Sequence, residues 1–449
     1  MSGEGAEASV QGKFVTRDPD YAVPLIAIAL ERRFNSEHLS AIINKLLHRE
    51  NDDVVEFEFF IQDNILLGSV EEHLEEHGLI VENEIEIEYS VKCPIPEVLD
   101  SLTHDDWVSA VHCARIGSRD LILTGSYDCS VTIWTTAGKK LTTLAGHESP
   151  VKSVRWVEYD GKNARFISTS HDETAVLWSW NVERNSINAM VTCKGHERSV
   201  DCVDVDVPSN RFATSGFDNV VKLWSTSTEE TQLDVKKEEA TEGDVKRSRF
   251  EVDHPTVRRF TRTPLVSLAS HTEAVTAVKF MNSSEMLTCS MDCTLKVWDI
   301  EIGGFSNNLL GSKAFLDLCY SPLNQSIVTA HADRHIRLWD PRSKQGSVVK
   351  ANFTSHSGWV TAVCWSPAQA TQFISSSYDT LVKLWDTRST KTPLYDMQGH
   401  EDRILCCDWS IPEYMVSGGA DNQLKLFKHE APCSKAGSQL QVHKEQLKS

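Results

Sequence analysis

The sequence predicts a mainly β chain, a seven-bladed β-propeller preceded by a small α+β domain, and three observations predict it. Seven segments share one ending, an Asp followed six residues later by a large aromatic: Asp128–Trp134, Asp172–Trp178, Asp218–Trp224, Asp292–Trp298, Asp333–Trp339, Asp379–Trp385 and Asp421–Phe427. Four residues before each Asp stands a hydroxyl residue: Thr124, Ser168, Thr214, Thr288, Thr329, Ser375 and Ser417. The aromatic-to-aromatic step is 41 to 46 residues, apart from one longer interval between Trp224 and Trp298. A repeat of that length is one four-stranded sheet, and radial repetition of such sheets leaves only short, protected edges.

The N-terminal region has a different texture. Residues 1–11 are expected to be disordered, and 12–92 to form the small domain. Lys13 to Thr16 and Val23 to Leu30 read as strands around a turn at Asp18-Pro19-Asp20. Ser36 starts a helix with Leu39, Ile42, Ile43, Leu46 and Leu47 at helical spacing. Val54 to Ile61 alternates through Val55, Phe57, Phe59 and Ile61 and reads as a strand. Ser69 caps a short helix, Val70 to Glu76, and Glu84 to Val91 alternates again. The order ββαββ with a short helix before the last strand resembles a ubiquitin-like β-grasp, although periodicity alone also allows other small α+β folds.

Within each later repeat the even spacings have a physical reason. Strand side chains alternate between faces, so the Ser/Thr on one strand and the aromatic on the next can meet. A histidine lies upstream of six repeats, at His104, His147, His196, His271, His356 and His400. The turn Asp can hold that imidazole, the imidazole can reach the hydroxyl, and the hydroxyl can reach the indole N–H. The chain satisfies polar groups that blade packing buries. These marks, with Trp298-Asp299, Trp339-Asp340 and Trp385-Asp386, resemble the WD-repeat family over residues 95 to 428. Two repeats depart from the pattern. The fifth, around Gly311-Ser312-Lys313, has no upstream histidine, and the seventh has Phe427, which has no N–H to donate. Both blades are expected to form with incomplete networks and less local rigidity. The last repeat ends after its third strand, so Ile95 to Leu102 is expected to supply the fourth and close a propeller spanning 93–428.

The long interval holds an insertion at about 226–263, polar and charged, with a basic half from Lys246 to Arg262. It cannot bury enough apolar surface to fold alone. It reads as a solvated loop, with a nuclear-import or particle-docking signal as the sharper alternative. The tail at 429–449 is expected to be flexible.

Forty per cent of residues are hydrophobic and the net charge is −19. That balance argues against a broad duplex-binding surface, because such affinity rests on neutralised phosphates. No apolar run approaches the roughly 20 residues that span a bilayer, and the first residues lack a signal-peptide pattern. Twelve cysteines without a paired framework read as thiols in a reducing compartment. Cys289 with Cys293, and Cys406 with Cys407, are the tightest groups, and neither has a second pair at zinc-ligand spacing. Ser/Thr, His and Asp are the ingredients of a hydrolase triad. Their recurrence in blade after blade points to structure, and no enzyme and no intrinsic cofactor are expected.

The whole chain resembles a family that carries a Notchless-like domain before a WD propeller, the WD-repeat subunit of the Pescadillo–Block-of-proliferation–WD-repeat (PeBoW) complex. The matching segments are Arg33-Phe34, Ile42 to Leu47, Leu66-Leu67, Ser69 with Leu74, Gly78-Leu79, Glu88-Tyr89, Asp105 to Val108 and Thr263-Pro264-Leu265. The resemblance implies a nuclear scaffold, in nucleolus and nucleoplasm, for maturation of large-subunit and 5.8S ribosomal RNA. It implies a propeller bound to the Block-of-proliferation subunit, with Pescadillo in the same complex, on pre-ribosomal particles and not on a membrane. It further implies that the AAA ATPase Midasin grips the ubiquitin-like domain and removes the complex. The Mg²⁺ of Midasin's adhesion site would take a carboxylate from Glu82, with Glu84 the alternative. The related Notchless protein has an eight-bladed propeller, so seven repeats favour the PeBoW subunit. A WD-repeat adaptor in ubiquitin-ligase or signalling assemblies is the rival reading.

Overall fold

A computed structural model describes residues 9–49, 54–78, 84–227, 260–342 and 349–430. The leading domain consists of β1 (Ser9–Val15), β2 (Ala27–Glu31), α1 (Ser36–Leu46), β3 (Phe57–Ile61), β4 (Asn64–Ile65), α2 (Val70–Glu76) and β5 (Ile85–Val91). The sheet order is β2-β1-β5-β3-β4, with β1 and β5 parallel, the β-grasp arrangement. Asn35 caps α1 by accepting the N–H groups of Glu37 and His38. The helix then buries Leu39 and Ile43 against Phe14, Phe59 and Tyr89.

Several expectations need correction here. Residues 9–11 do not belong to a disordered leader: they pair with β2 in register, Ser9 opposite Glu31. The second strand begins at Ala27 rather than Val23, because Pro24 has no N–H and its carbonyl accepts the Ile26 N–H in a tight turn (2.8 Å). The third begins at Phe57 rather than Val54, because the Asn44 amide takes both the N–H and the carbonyl of Val55 (3.0 and 2.7 Å). Nor does β3 have an alternating exposed face: all five of its residues are buried. Its outer side, Glu58 and Phe60, is covered by the propeller.

The propeller has seven sheets, six of four strands and one, blade two, of five. Blade one begins with Val108–Ile116, blade two with Val151–Tyr159, blade three with Val200–Asp206 and blade four with Val275–Phe280. Blades five, six and seven begin with Phe315–Ser321, Val360–Trp365 and Ile404–Ile411. These first strands neighbour one another in a closed circuit, the seventh touching the first. The outermost strand of blade seven is β6 (Glu97–Thr103), which pairs antiparallel with Gln423–Lys428. The two ends of the propeller therefore lie in one sheet.

The insertion is shorter than 226–263. Phe260–Arg262 forms a strand parallel to the edge of blade two, Phe260 opposite Val191. Arg262 holds it by donating to the carbonyls of Ser225 and Ser227. Residues 228–259 lie outside the described residues, as do 1–8 and 431–449. The packed chain also runs past residue 428, because His429 is buried against Trp409 and Cys93.

Candidate functional site

The recurring polar residues meet as chains of hydrogen bonds inside the blades. In blade three the Trp224 indole N–H donates to Thr214 Oγ1 (2.8 Å), which lies 2.7 Å from His196 Nε2, and His196 Nδ1 lies 2.7 Å from Asp218. Donation from indole to hydroxyl, hydroxyl to Nε2, and Nδ1–H to carboxylate satisfies every member. The same chain runs through His147, Ser168, Asp172 and Trp178, through His271, Thr288, Asp292 and Trp298, and through His356, Ser375, Asp379 and Trp385. Burial by itself would raise the carboxyls of Asp172 and Asp379, but hydrogen bonds from His147 and His356 pull both down to about 2. In each of these four blades the hydroxyl is fully buried and already engaged on both sides.

Three blades differ. In blade one His104 reaches Thr124 (2.9 Å) and Trp134 donates to the same oxygen (3.1 Å). Its Nδ1, however, has no hydrogen-bond partner, so Asp128 is not joined to it. Burial pushes that imidazole down to about 4. Blade seven keeps His400, Ser417 and Asp421 at 2.8 Å spacings, with Phe427 packed where the indole would be. Blade five was expected to lack an imidazole, and this is corrected. His331, two residues beyond Thr329 on the same strand, places Nε2 2.8 Å from the Thr329 hydroxyl. Arg337 holds Asp333 in its place, and Trp339 donates to Thr329 (2.7 Å). Residues two apart on a strand share a face, which is the signal that marks His331 in the sequence.

The acidic segment of the leading domain follows α2 in sequence. Ser69 and Glu72 form a reciprocal capping box at its start. Gly78 ends it with φ +61°, a left-handed position that glycine fills without strain. Glu84 stands exposed immediately before β5. Glu82 lies outside the described residues. Among the described residues no three His, Cys, Asp or Glu side chains are grouped as a metal site.

Residues 10–74 match the family described as the NLE (NUC135) domain. Six segments match the WD domain, G-beta repeat: 138–179, 188–225, 262–299, 306–340, 347–386 and 391–428. Each match takes in the outer strand of one blade and the inner strands of the next. The curated proteins most informative here span nearly all of the chain. A "Ribosome biogenesis protein WDR12 homolog" from Ixodes scapularis is 48% identical over 432 residues, covering 95% of this chain and 100% of its own length. Proteins of the same description from Drosophila virilis and Drosophila erecta are each 42% identical, with 95% and 97% coverage. The chain belongs to the WDR12 family of ribosome biogenesis proteins. In this WDR12-family chain the repeat matches begin at residue 138, whereas the structure places three more strands before them, between Val108 and Thr135, which form one sheet with Lys140–Ala145 of the first match. The seventh blade of the family fold is thus visible in the strand pairing.

Proposed function

We propose that this chain is a non-catalytic scaffold of large-subunit assembly in the nucleolus, required for maturation of the large-subunit and 5.8S ribosomal RNAs. What carries the reading is the pairing, in one WDR12-family chain, of a β-grasp domain with a propeller whose hydroxyl–imidazole–carboxylate sets are buried within the blades. A nucleophile must reach substrate in a cleft, and these hydroxyls reach only their own blades. Activity then belongs to the partners. The propeller binds a Block-of-proliferation-type propeller, which joins it to Pescadillo on pre-ribosomal particles in the nucleus. The leading domain offers Glu82, or Glu84 as the alternative, to the Mg²⁺ of Midasin's adhesion site. A hard dication with an open position favours a carboxylate oxygen, and the segment between Gly78 and β5 holds two carboxylates, Glu82 and Glu84. ATP hydrolysis in Midasin then pulls the complex from the particle.

The test is binding of the full chain to Midasin's adhesion domain with and without Mg²⁺. Glu82→Ala is expected to leave the circular dichroism spectrum and melting temperature unchanged and to weaken binding at least tenfold, as chelation of Mg²⁺ does. Wild-type affinity in Glu82→Ala, with loss in Glu84→Ala, would move the ligand to Glu84. Wild-type affinity in both would remove the metal contact from the reading.

A further inference from the structure

The motif Trp-Asp-x-Arg occurs twice, as Trp339-Asp340-Pro341-Arg342 in blade five and Trp385-Asp386-Thr387-Arg388 in blade six. In both, the arginine Nε donates to the Asp Oδ1, at 2.9 Å in blade five and 2.8 Å in blade six. Their surroundings differ. The Arg342 side chain is 61% exposed, whereas that of Arg388 is 9% exposed. What covers Arg388 is the ubiquitin-like domain.

The seam is built around that guanidinium. Its Nη2 donates to Ser90 Oγ on β5 (2.9 Å), its Nη1 lies 3.5 Å from Glu88, and its plane sits 4.2 Å over the Phe60 ring of β3. Two hydrogen bonds from backbone N–H groups flank it. The Ile65 N–H donates to Ser389 Oγ (3.3 Å) and the Thr390 N–H to the Asp63 carbonyl (3.0 Å). Tyr395 donates to the Cys93 carbonyl (2.7 Å). Beneath these, Phe60, Ile65 and Cys93 share one apolar core with Leu384, Leu394, Met397 and Trp409. An arginine that bonds one domain bidentately and stacks on an aromatic ring of the other is poorly replaced by any other side chain.

We propose that Arg388 is a positioning residue that clamps the ubiquitin-like domain onto blade six, so that the domain is a fixed limb of the propeller rather than a module swinging on residues 92–96. The inference does not depend on what grips the domain. If the acidic segment after α2 is a handle, the clamp is what delivers the load to the propeller at blade six.

Hydrogen exchange on the full chain tests it. In Arg388→Ala the amides of Ile65 and Thr390 are expected to lose protection at least tenfold, while core amides of blades two to four keep theirs. Glu88→Lys, a change at a partly exposed site on the other side of the seam, guards against a general fold defect and is expected to act in the same direction. Arg342→Ala, the same motif with its arginine exposed, is expected to leave both amides unchanged. Wild-type protection of Ile65 and Thr390 in both Arg388→Ala and Glu88→Lys would overturn the clamp. So would loss of protection spread evenly over all blades, since that is unfolding and not undocking. The Midasin-binding experiment stands apart, because loss of the Glu82 contact changes neither amide.

Discussion

Glu58 shows how a single residue changes meaning between sequence and structure. In an alternating strand it occupies the solvent-facing phase, yet it is 8% exposed, lying under blade six with the Tyr395 hydroxyl 3.4 Å away. Burial, and then the nearby Asp386 carboxylate, raise its carboxyl to about 7, against the smaller opposing pull of Arg388 and Lys92. The folded chain therefore keeps a proton that the unfolded chain releases from pH 4.5 upward. This group's contribution to stability is complete below that value and is lost as pH rises to about 7. The buried imidazoles of His104 and His331, pushed down to about 4 and 3 by burial, act with the opposite sign, losing stability as pH falls below their usual range. Glu58→Gln isolates the carboxyl. It is expected to stabilise the chain by about 2 kcal/mol at pH 8 and by little at pH 4.5. Thermal denaturation at the two pH values measures the difference, and an equal effect at both would contradict the assignment.

At the scale of the element, the turn after each second strand carries a rule that the Asp spacing does not spell out. The residue following the Asp is left-handed in every blade: Cys129, Glu173, Asn219, Cys293, Arg334, Thr380 and Asn422, with φ between 61° and 70°. The Asp side chain fixes that turn by accepting the N–H two residues on, as Asp128 does from Ser130 (2.8 Å) and Asp379 from Leu381 (3.2 Å). Asn tolerates this conformation, whereas a β-branched residue is strained in it. Thr380→Asn is therefore expected to stabilise blade six by up to about 1 kcal/mol, and Asn422→Thr to destabilise blade seven by a similar amount. Denaturant titration would read both, and the same sign for the two substitutions would contradict the turn argument.

For the whole molecule, stability depends on closing the circle. One residue from each first strand forms a ring: His112, Arg155, Asp204, Lys279, Cys319, Cys364 and Asp408. Several of them accept the N–H of the next blade, His112 from Trp156 (3.0 Å), Cys364 from Trp409 (3.3 Å) and Asp408 from Cys113 (2.8 Å). Where a cation stands instead, Asp204 bridges it, lying 3.5 Å from Arg155 and 3.0 Å from Lys279. The circuit holds only if blade seven is complete, and β6 completes it through Leu102, buried with Leu424 and Leu426. Leu102→Asp buries an unpaired charge at that joint, and a loss of more than about 3 kcal/mol is expected. Calorimetry should show a broadened, less cooperative transition; a single sharp transition at the wild-type temperature would show that closure does not control stability.

The repeat alone determined the propeller, its seven blades and the members of most hydrogen-bonded chains. A side chain's face follows from parity along a strand, and seven copies in register leave no other solution. Parity also contains His331, which follows its hydroxyl partner in the sequence where the other imidazoles precede theirs. The order of the helices and the longer strands up to β5 was likewise legible, since amphipathic spacing is a local property, whereas the two-residue β4 is too short to leave such a pattern. What only the tertiary structure decided are contacts between residues far apart in sequence. Nothing local distinguishes Arg388 from Arg342, or Glu58 from a solvated strand residue, because burial at those sites is created by a domain some 300 positions away. Two surfaces must meet before either residue acquires its environment, and that meeting is written in the fold rather than in any stretch of the chain.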